Sequence, residues 1–385
     1  MMKKRNAAIC TIAMVTGLLA GCVTSAQAAD PITIGVTGPM TGAAALNGQY
    51  MTNATQMAAD EWNEKGGITI DGEQREIKMV FEDDQATASV ALNAVTKQVY
   101  DNDVFALIGP HNSGCVLSVA DLCTSENVIM LTGGTSVKIS DLGNENIFRI
   151  RASDSLTASL AYKYCMENIG TEKIGMMYIN NDFGTGALTV VEEAAKAAGI
   201  ELLAVEGFNA GDTDMSGQLL KMKDAGCEAV ICWADDAEGA IIARQYHEYG
   251  LTDAFTMIGS ATFSLSTFYS TTDETNADGI YSVNDYAYTN EDEQVAEFEK
   301  KYYEKFDIHS DLYSAAYYDA ANLLFTAINE AGTLDTDAVR EVLKTIEYDG
   351  VMADDKFDEV NDGIHQILVI KNEGCEPTVE TTVYE

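Results

Sequence analysis

The chain has 385 residues, of which 23 are Lys or Arg and 61 are Asp or Glu, giving a formal net charge of −38 at pH 7. Such an acidic excess speaks against nucleic-acid binding, which depends on neutralising phosphates with basic side chains. Hydrophobic residues make up 46% of the chain, and its length exceeds what one core normally organises, so two domains are expected.

Lys3, Lys4 and Arg5 precede an apolar run from Ala7 to Leu19. This is the pattern of an export signal, too short to span a bilayer. Leu19-Ala20-Gly21-Cys22 follows at once and matches a bacterial lipobox, with cleavage before Cys22 and lipidation of its thiol. Residues 1–21 are then the signal peptide and 22–30 a tether. The expected location is the outer face of the cytoplasmic membrane. Ala26-Gln27-Ala28 offers a rival cleavage site that would release a free periplasmic protein. Residues 1–21 carry three basic and no acidic side chains, so their removal leaves 364 residues with a charge of −41. The acidic residues are scattered without calcium-loop spacing and read as solvated surface. Cys115, Cys123, Cys165, Cys227, Cys232 and Cys375 form no CxxC pair. Cys115 and Cys123 sit about 12 Å apart by helical rise, beyond disulfide reach. Most of the cysteines read as small buried hydrophobes, which suits a reducing habitat.

Ile32–Thr37 is a first predicted strand, followed by the turn Gly38–Gly42, a small-residue loop Ala43–Gly48 and a helix over Gln49–Glu64. Lys65-Gly66-Gly67 closes that helix. Arg75–Glu82 is a second strand and Ala86–Tyr100 a second helix. Phe105–Ile108 and Val128–Leu131 are short apolar strands, each ending in a polar, Gly-rich turn, with a helix over Gly114–Glu126 between them. Both turns therefore lie at the carboxyl ends of neighbouring parallel strands, where open α/β sheets bind ligands. Their small hydroxyl residues, bare backbone and helix N-terminus suit a carboxylate. Ile147–Ile150 completes this half.

The alternation then restarts, with strands at Lys173–Tyr178, Ile200–Glu206, Ala229–Trp233 and Phe255–Ile258. The helices between them are Leu156–Asn168, Ala187–Ala198, Met215–Ala225 and Ala237–Tyr249. Asn180–Gly186 is another Gly-rich turn at a strand end. Gly279–Val283 leads out of the second half. Three helices follow, Glu291–Phe306, Leu312–Ala331 and Asp337–Thr345, and a last strand, His365–Ile370. The fold class is α/β, two doubly wound Rossmann-like lobes, with the late elements completing the first two halves rather than forming a third.

The sequence holds no GxxxxGK[ST], no HExxH, no Cys/His cluster at zinc spacing and no GxSxG. Gly184-Thr185-Gly186 is only half of a dinucleotide fingerprint. Asp83, Asp84, Asp182, Asp235 and Asp236 lie near turns, but no nucleophile accompanies them. Of the four histidines, His111 alone lies in a candidate ligand turn. No catalytic residue, metal or cofactor is expected.

The ordered set of Gly38–Gly42, Asp60–Ile68, Asp83-Asp84, Ile108-Gly109, the Ser113 turn, Leu131–Ser136, Asn181–Gly186 and Tyr317–Ala320 resembles the type I periplasmic binding proteins. The branch it is most similar to is the branched-chain amino-acid (Leu/Ile/Val) binding proteins of ABC importers. The resemblance covers nearly all of the mature chain, though no single motif is specific. It implies two lobes joined by three crossovers and closing hinge-wise over a ligand. The first lobe is then 31–153 plus 285–363, the second 154–284 plus 364–385. It implies that Ser113 holds a ligand carboxylate, with Gly134, Thr135 and Ser136 in the second turn. Phe183 would cover the ligand, Tyr313 would form a wall, and Asn47 would approach from the first loop.

One departure stands out. The acid that such proteins place opposite the ligand's ammonium is replaced here by Ala261. Asp235 or Asp236, from the neighbouring strand end, is the candidate substitute; otherwise the ligand is a urea-like amide or a small organic or aromatic acid. Trp233 reads as a core residue, with a place in the ligand wall as the alternative. The implied function is a monomeric solute-binding lipoprotein that captures a small amino acid, branched-chain or similar, and delivers it to the membrane subunits of an ABC permease. A ligand-sensing receptor subunit of the same fold is the alternative.

Overall fold

The computed structural model describes residues 29–363 and 366–384. The leader, Cys22 with its proposed lipid, and His365 lie outside the described residues. Two sheets dominate. The first has five parallel strands in the order Ile77–Asp83, Ile32–Gly38, Ala106–Ile108, Ile129–Thr132 and Ile147–Arg149. Ile34, Val36, Ile108 and Leu131 are wholly buried, because helices cover both faces of a parallel sheet and leave no polar side to alternate with.

The second sheet has seven strands in the order Glu376–Tyr384, Gln366–Glu373, Tyr281–Asn284, Thr256–Gly259, Ala229–Trp233, Ile174–Ile179 and Ala204–Phe208. Five are parallel; Gln366–Glu373 and Glu376–Tyr384 add an antiparallel edge. Ala229–Trp233 is central and buried at every position. Among the described residues no helix is long and apolar enough to cross a membrane.

The late helices pack where the sequence implied. Leu312–Ala331 lies against the first sheet, with Ala316, Tyr317, Ala320, Leu323, Leu324 and Phe325 all buried. Asp311 and Ser314 form a reciprocal capping box at its start. Gly332, in the left-handed conformation, ends it. Trp62 from helix Ala45–Glu64 donates its indole N–H to Asn322 at 2.9 Å, so the two longest helices are pinned as well as packed.

The chain passes between the sheets three times: after Arg149, after Asn284 and after Asn361. Two ion pairs tie these crossings together. Arg149 Nε donates to Asp362 at 2.8 Å, joining the first to the third. Arg151 donates through Nη2 to Asp285 at 2.9 Å, joining the first to the second.

Several elements differ from the sequence expectation. A hairpin of Ile68–Ile70 and Glu73–Arg75 turns at Asp71-Gly72, both with positive φ, and takes Arg75 out of the predicted second strand. The strand expected at Ile200–Glu206 lies at Ala204–Phe208, displaced towards the turn that receives it. A second small hairpin, Tyr348–Gly350 with Ala353–Asp355, and the edge strand Glu376–Tyr384 were not anticipated. The last is mostly polar and carries little hydrophobic signal.

Gly109 ends strand Ala106–Ile108 with φ +85°, and a Cβ there would sit 2.0 Å from the Thr37 carbonyl oxygen. Gly109→Ala should therefore destabilise the protein by more than about 2 kcal/mol in urea unfolding. An unchanged midpoint would show that this turn relaxes freely.

Candidate functional site

The carboxyl ends of both parallel sheets converge on a cavity of about 570 Å³. Its first-lobe wall starts at the two turns singled out in the sequence. Thr132 Oγ1 donates to the Pro110 carbonyl at 2.7 Å and accepts from the Gly134 N–H at 3.2 Å. Ser113 Oγ accepts from the Ser136 N–H at 3.2 Å. These bonds lock the two turns into one surface. Ser113 opens helix Ser113–Ser125, whose first N–H groups have no side-chain cap, which leaves them to water or to an anion.

Of the three residues expected from the second turn, only Thr135 lines the cavity, joined by Gly133; Gly134 and Ser136 do not. A Cβ on Gly134 would come within 2.9 Å of Val116 and 2.8 Å of Ile139, so that position faces the helices. Its carbonyl accepts from Arg149 Nη1 at 3.1 Å. The Ser136 hydroxyl donates instead to the Asp182 carbonyl at 2.9 Å. An extended segment alternates its directions residue by residue, so Gly133 and Thr135 share the face from which Gly134 and Ser136 turn away.

Asn47, His111, Ser113, Thr135, Phe183, Asp235, Asp236 and Tyr313 all line the cavity. His111 packs edge-on against Tyr313 with centroids 4.3 Å apart, and its Nδ1 has no hydrogen-bond partner. Burial, reinforced by the nearby Arg151 charge, pushes its pKa down to about 3, so the ring is neutral.

The second-lobe wall comes from three strand ends. Asn181 caps helix Asp182–Ala198 through its Oδ1 and donates Nδ2 to Asp235 at 2.9 Å. Phe183 faces Trp233 with ring centroids 6.2 Å apart. Trp233, weighed as either a core or a wall residue, is both: it is buried and lines the cavity. Asp236 accepts from Asn47 Nδ2 at 2.6 Å, a bond from one lobe to the other. Ser136 to Asp182 is a second such bond, and the Lys138–Asp182 pair at 2.7 Å a third. The lobes are thus closed on each other. Ala261 lines the cavity without a charge.

Four side chains important to the site were not singled out. Arg151, Asp154, Thr157 and Glu238 all line it. Asp154 is 1% exposed. Its Oδ1 accepts from the Trp233 indole at 3.3 Å, while Oδ2 has no partner. Burial pushes its pKa up to about 6, against the pull of the Arg149 charge. Asp235 rises to about 7 through burial and the charges of Asp236 and Glu238, and Asp236 to about 6 through burial. The acidic residues are therefore not all solvated surface; several are concentrated in the cleft. Among the described residues no His, Cys, Asp and Glu side chains are grouped to hold a metal ion. Cys115 and Cys123 are buried thiols raised to about 12 by that burial, which makes them unreactive.

Comparison with known proteins agrees with this geometry. The chain is 27% identical over 345 residues to the leucine-, isoleucine-, valine-, threonine- and alanine-binding protein of Pseudomonas aeruginosa, covering 89% of this chain and 90% of that one. The crystal structure of a leucine-binding protein from Thermotoga maritima superposes with a TM-score of 0.83 at 22% identity, covering 92% of this chain and 99% of that one. A solute-binding protein of an ABC transporter from Rhodopseudomonas palustris, in complex with 3,4-dihydroxybenzoic acid, superposes with a TM-score of 0.82 at 20% identity, over 92% of this chain and 97% of that one. At such identities the two structures show a shared fold. Residues 31–373 match the periplasmic binding protein family model, so a closed two-lobed cleft and a family match over most of the sequence converge, and the chain belongs to that family.

Proposed function

We propose that this protein is the extracytoplasmic solute-binding subunit of an ABC importer, which captures an amino acid between its lobes and delivers it to the permease. The lobes we assign are 31–153 plus 285–363 and 154–284 plus 364–385. Cys22 would carry the lipid that holds the monomer at the outer face of the cytoplasmic membrane. The observation that carries the reading is the cavity itself, which brings hydroxyls and uncapped helix N–H groups together with carboxylates. An α-amino acid has the matching pair of charges.

Ser113, the backbone around Gly133 and Thr135, and the N-terminus of helix Ser113–Ser125 would hold the carboxylate. Phe183 would close over the ligand, with Asn47, His111 and Tyr313 walling the far side. Asp235 and Asp236 supply negative charge that Ala261 does not. The protein acts by binding: the ligand stabilises the closed state by its greater affinity for it. An acid without an ammonium, such as benzoate, would face the same carboxylates unpaired, which disfavours it.

A thermal-shift screen of amino acids, amides and aromatic acids tests this, since a tight ligand raises the midpoint by an amount set by its concentration over Kd. A shift by amides or aromatic acids alone would refute the amino-acid reading. Ser113→Ala should weaken binding by roughly 1.5–3 kcal/mol, the range for a hydrogen bond to a charged group. Unaltered calorimetric affinity would remove Ser113 from the site.

A further inference from the structure

Five carboxylates line the cavity, those of Asp154, Asp182, Asp235, Asp236 and Glu238, against one basic side chain, Arg151. Arg151 is already neutralised by Asp285, and Asp182 by Lys138. Among the described residues the other four form no ion pair. Asp235, Asp236 and Glu238 accept only uncharged donors, from Asn181, Asn47 and the Gly211 N–H, so one ligand ammonium leaves most of that charge without a counter-ion, which is costly inside a cleft.

The carboxylates fall at two poles. Asp154 belongs to the head-group turns, since its own N–H donates to the Thr135 carbonyl at 2.8 Å. It is 1% exposed and its Oδ2 is unpartnered. Asp235 and Asp236 form the other pole, at the end of strand Ala229–Trp233. They open helix Asp236–Glu248, and acids there would ordinarily serve the helix. Asp235 nevertheless makes no capping bond. Its carboxylate goes to Asn181, and that of Asp236 crosses the cleft to Asn47. The rings of Trp233 and Phe183 line the same cavity and pack on each other, with the Trp233 indole reaching Asp154, an apolar wall suited to a methylene chain.

We propose that the ligand is a diamino acid: Asp154 takes the α-ammonium beside the carboxylate subsite, Asp235 and Asp236 take a second cationic group, and an aliphatic stem lies along Trp233 and Phe183. This rests on the amino-acid reading above and names the class within it. It also separates this cleft from one built for a branched aliphatic side chain, whose far end would meet no charge.

Calorimetry on the full mature chain at pH 7.5 with lysine, norleucine, leucine and 6-aminohexanoate tests it. Norleucine lacks only the side-chain ammonium of lysine; 6-aminohexanoate lacks only the α-ammonium. Lysine should bind at least ten-fold more tightly than norleucine or leucine. Asp235→Asn with Asp236→Asn should collapse the lysine-to-norleucine ratio towards one. Asp154→Asn should weaken lysine and norleucine alike, by ten-fold or more, and leave 6-aminohexanoate unchanged. Norleucine or leucine binding as tightly as lysine overturns the diamino-acid assignment and leaves the amino-acid reading standing. Failure of every α-amino acid in the wider screen, arginine and ornithine included, sinks both. The unsubstituted protein alone gives the decisive ratio, so a variant that fails to fold does not shelter the proposal.

Discussion

Arg151→Met is expected to destabilise the ligand-free protein by about 3–5 kcal/mol, the cost of stripping one partner from a buried ion pair. Arg151 and Asp285 are 6% and 0% exposed. Arg151 donates to both carboxylate oxygens, at 2.9 and 3.3 Å. Without it the Asp285 carboxylate would keep the Ala152 N–H at 3.1 Å as its remaining donor, far too little to offset desolvation. The pair also joins the first crossing between the lobes to the second, so its loss should loosen the hinge as well as the core. Arg151→Met with Asp285→Leu should recover much of the loss, because removing both charges leaves none buried alone. Chemical unfolding of the wild type, both single variants and the double variant measures this. Equal stability of Arg151→Met and wild type would show that water reaches Asp285 and that the pair is not truly buried.

The architecture was legible because short apolar strands and amphipathic helices alternate with few interruptions, and a parallel sheet covered on both faces leaves that strong mark in the chain. The site was legible only in part. Ser113 stood out through its place in the ordered set of family motifs, since a serine opening a helix at a strand end is by itself ordinary. In the neighbouring turn Thr135 lines the cavity, but Gly133 does so in place of Gly134. Composition does not tell Gly133 from Gly134, and only the packing of Gly134 against Val116 and Ile139 does so. Asp154, two residues before the predicted helix Leu156–Asn168, was not singled out; its unpartnered oxygen is visible only once Trp233 and Thr135 close around it. Arg151 and Asp285 are 134 residues apart, and sequence patterning carries no trace of a pair that the topology alone assembles. The concentration of acid in the cleft was hidden for the same reason. Asp154 and Glu238 come from different elements and meet across a cavity, not along a chain.

Those carboxylates, joined by Asp84 and Asp311 outside the cavity lining, set the pH behaviour of the empty protein. Asp154 and Asp236 lie at about 6, Asp235 at about 7 and Asp311 at about 8, each raised from 3.8 chiefly by burial. Between 3.8 and these values the folded state binds more protons than the unfolded chain. Stability must therefore fall as pH rises through this window. A tenfold change in proton affinity between the folded and unfolded chain is worth about 1.4 kcal/mol, and the coupled acids do not act independently, so a combined loss of roughly 2–5 kcal/mol between pH 4 and pH 8 is expected. Carboxylates with lowered values act in the opposite sense but elsewhere: Glu228, held down by its hydrogen bonds from Lys173 and Thr171, contributes stability that is lost as pH falls below the ordinary glutamate value of 4.5. Asp235→Asn with Asp236→Asn removes two of the raised acids, so the double variant should be more stable than wild type at pH 8 and close to it at pH 4. A cationic ligand should do the same by a different route. It lets Asp235 and Asp236 ionise in the folded state, so binding releases protons near pH 6 and the measured heat varies with the ionisation enthalpy of the buffer. Stability of the empty protein that rises from pH 4 to pH 8 would mean that these groups are already paired or hydrated, and a cleft of that kind would have no need of a cationic ligand.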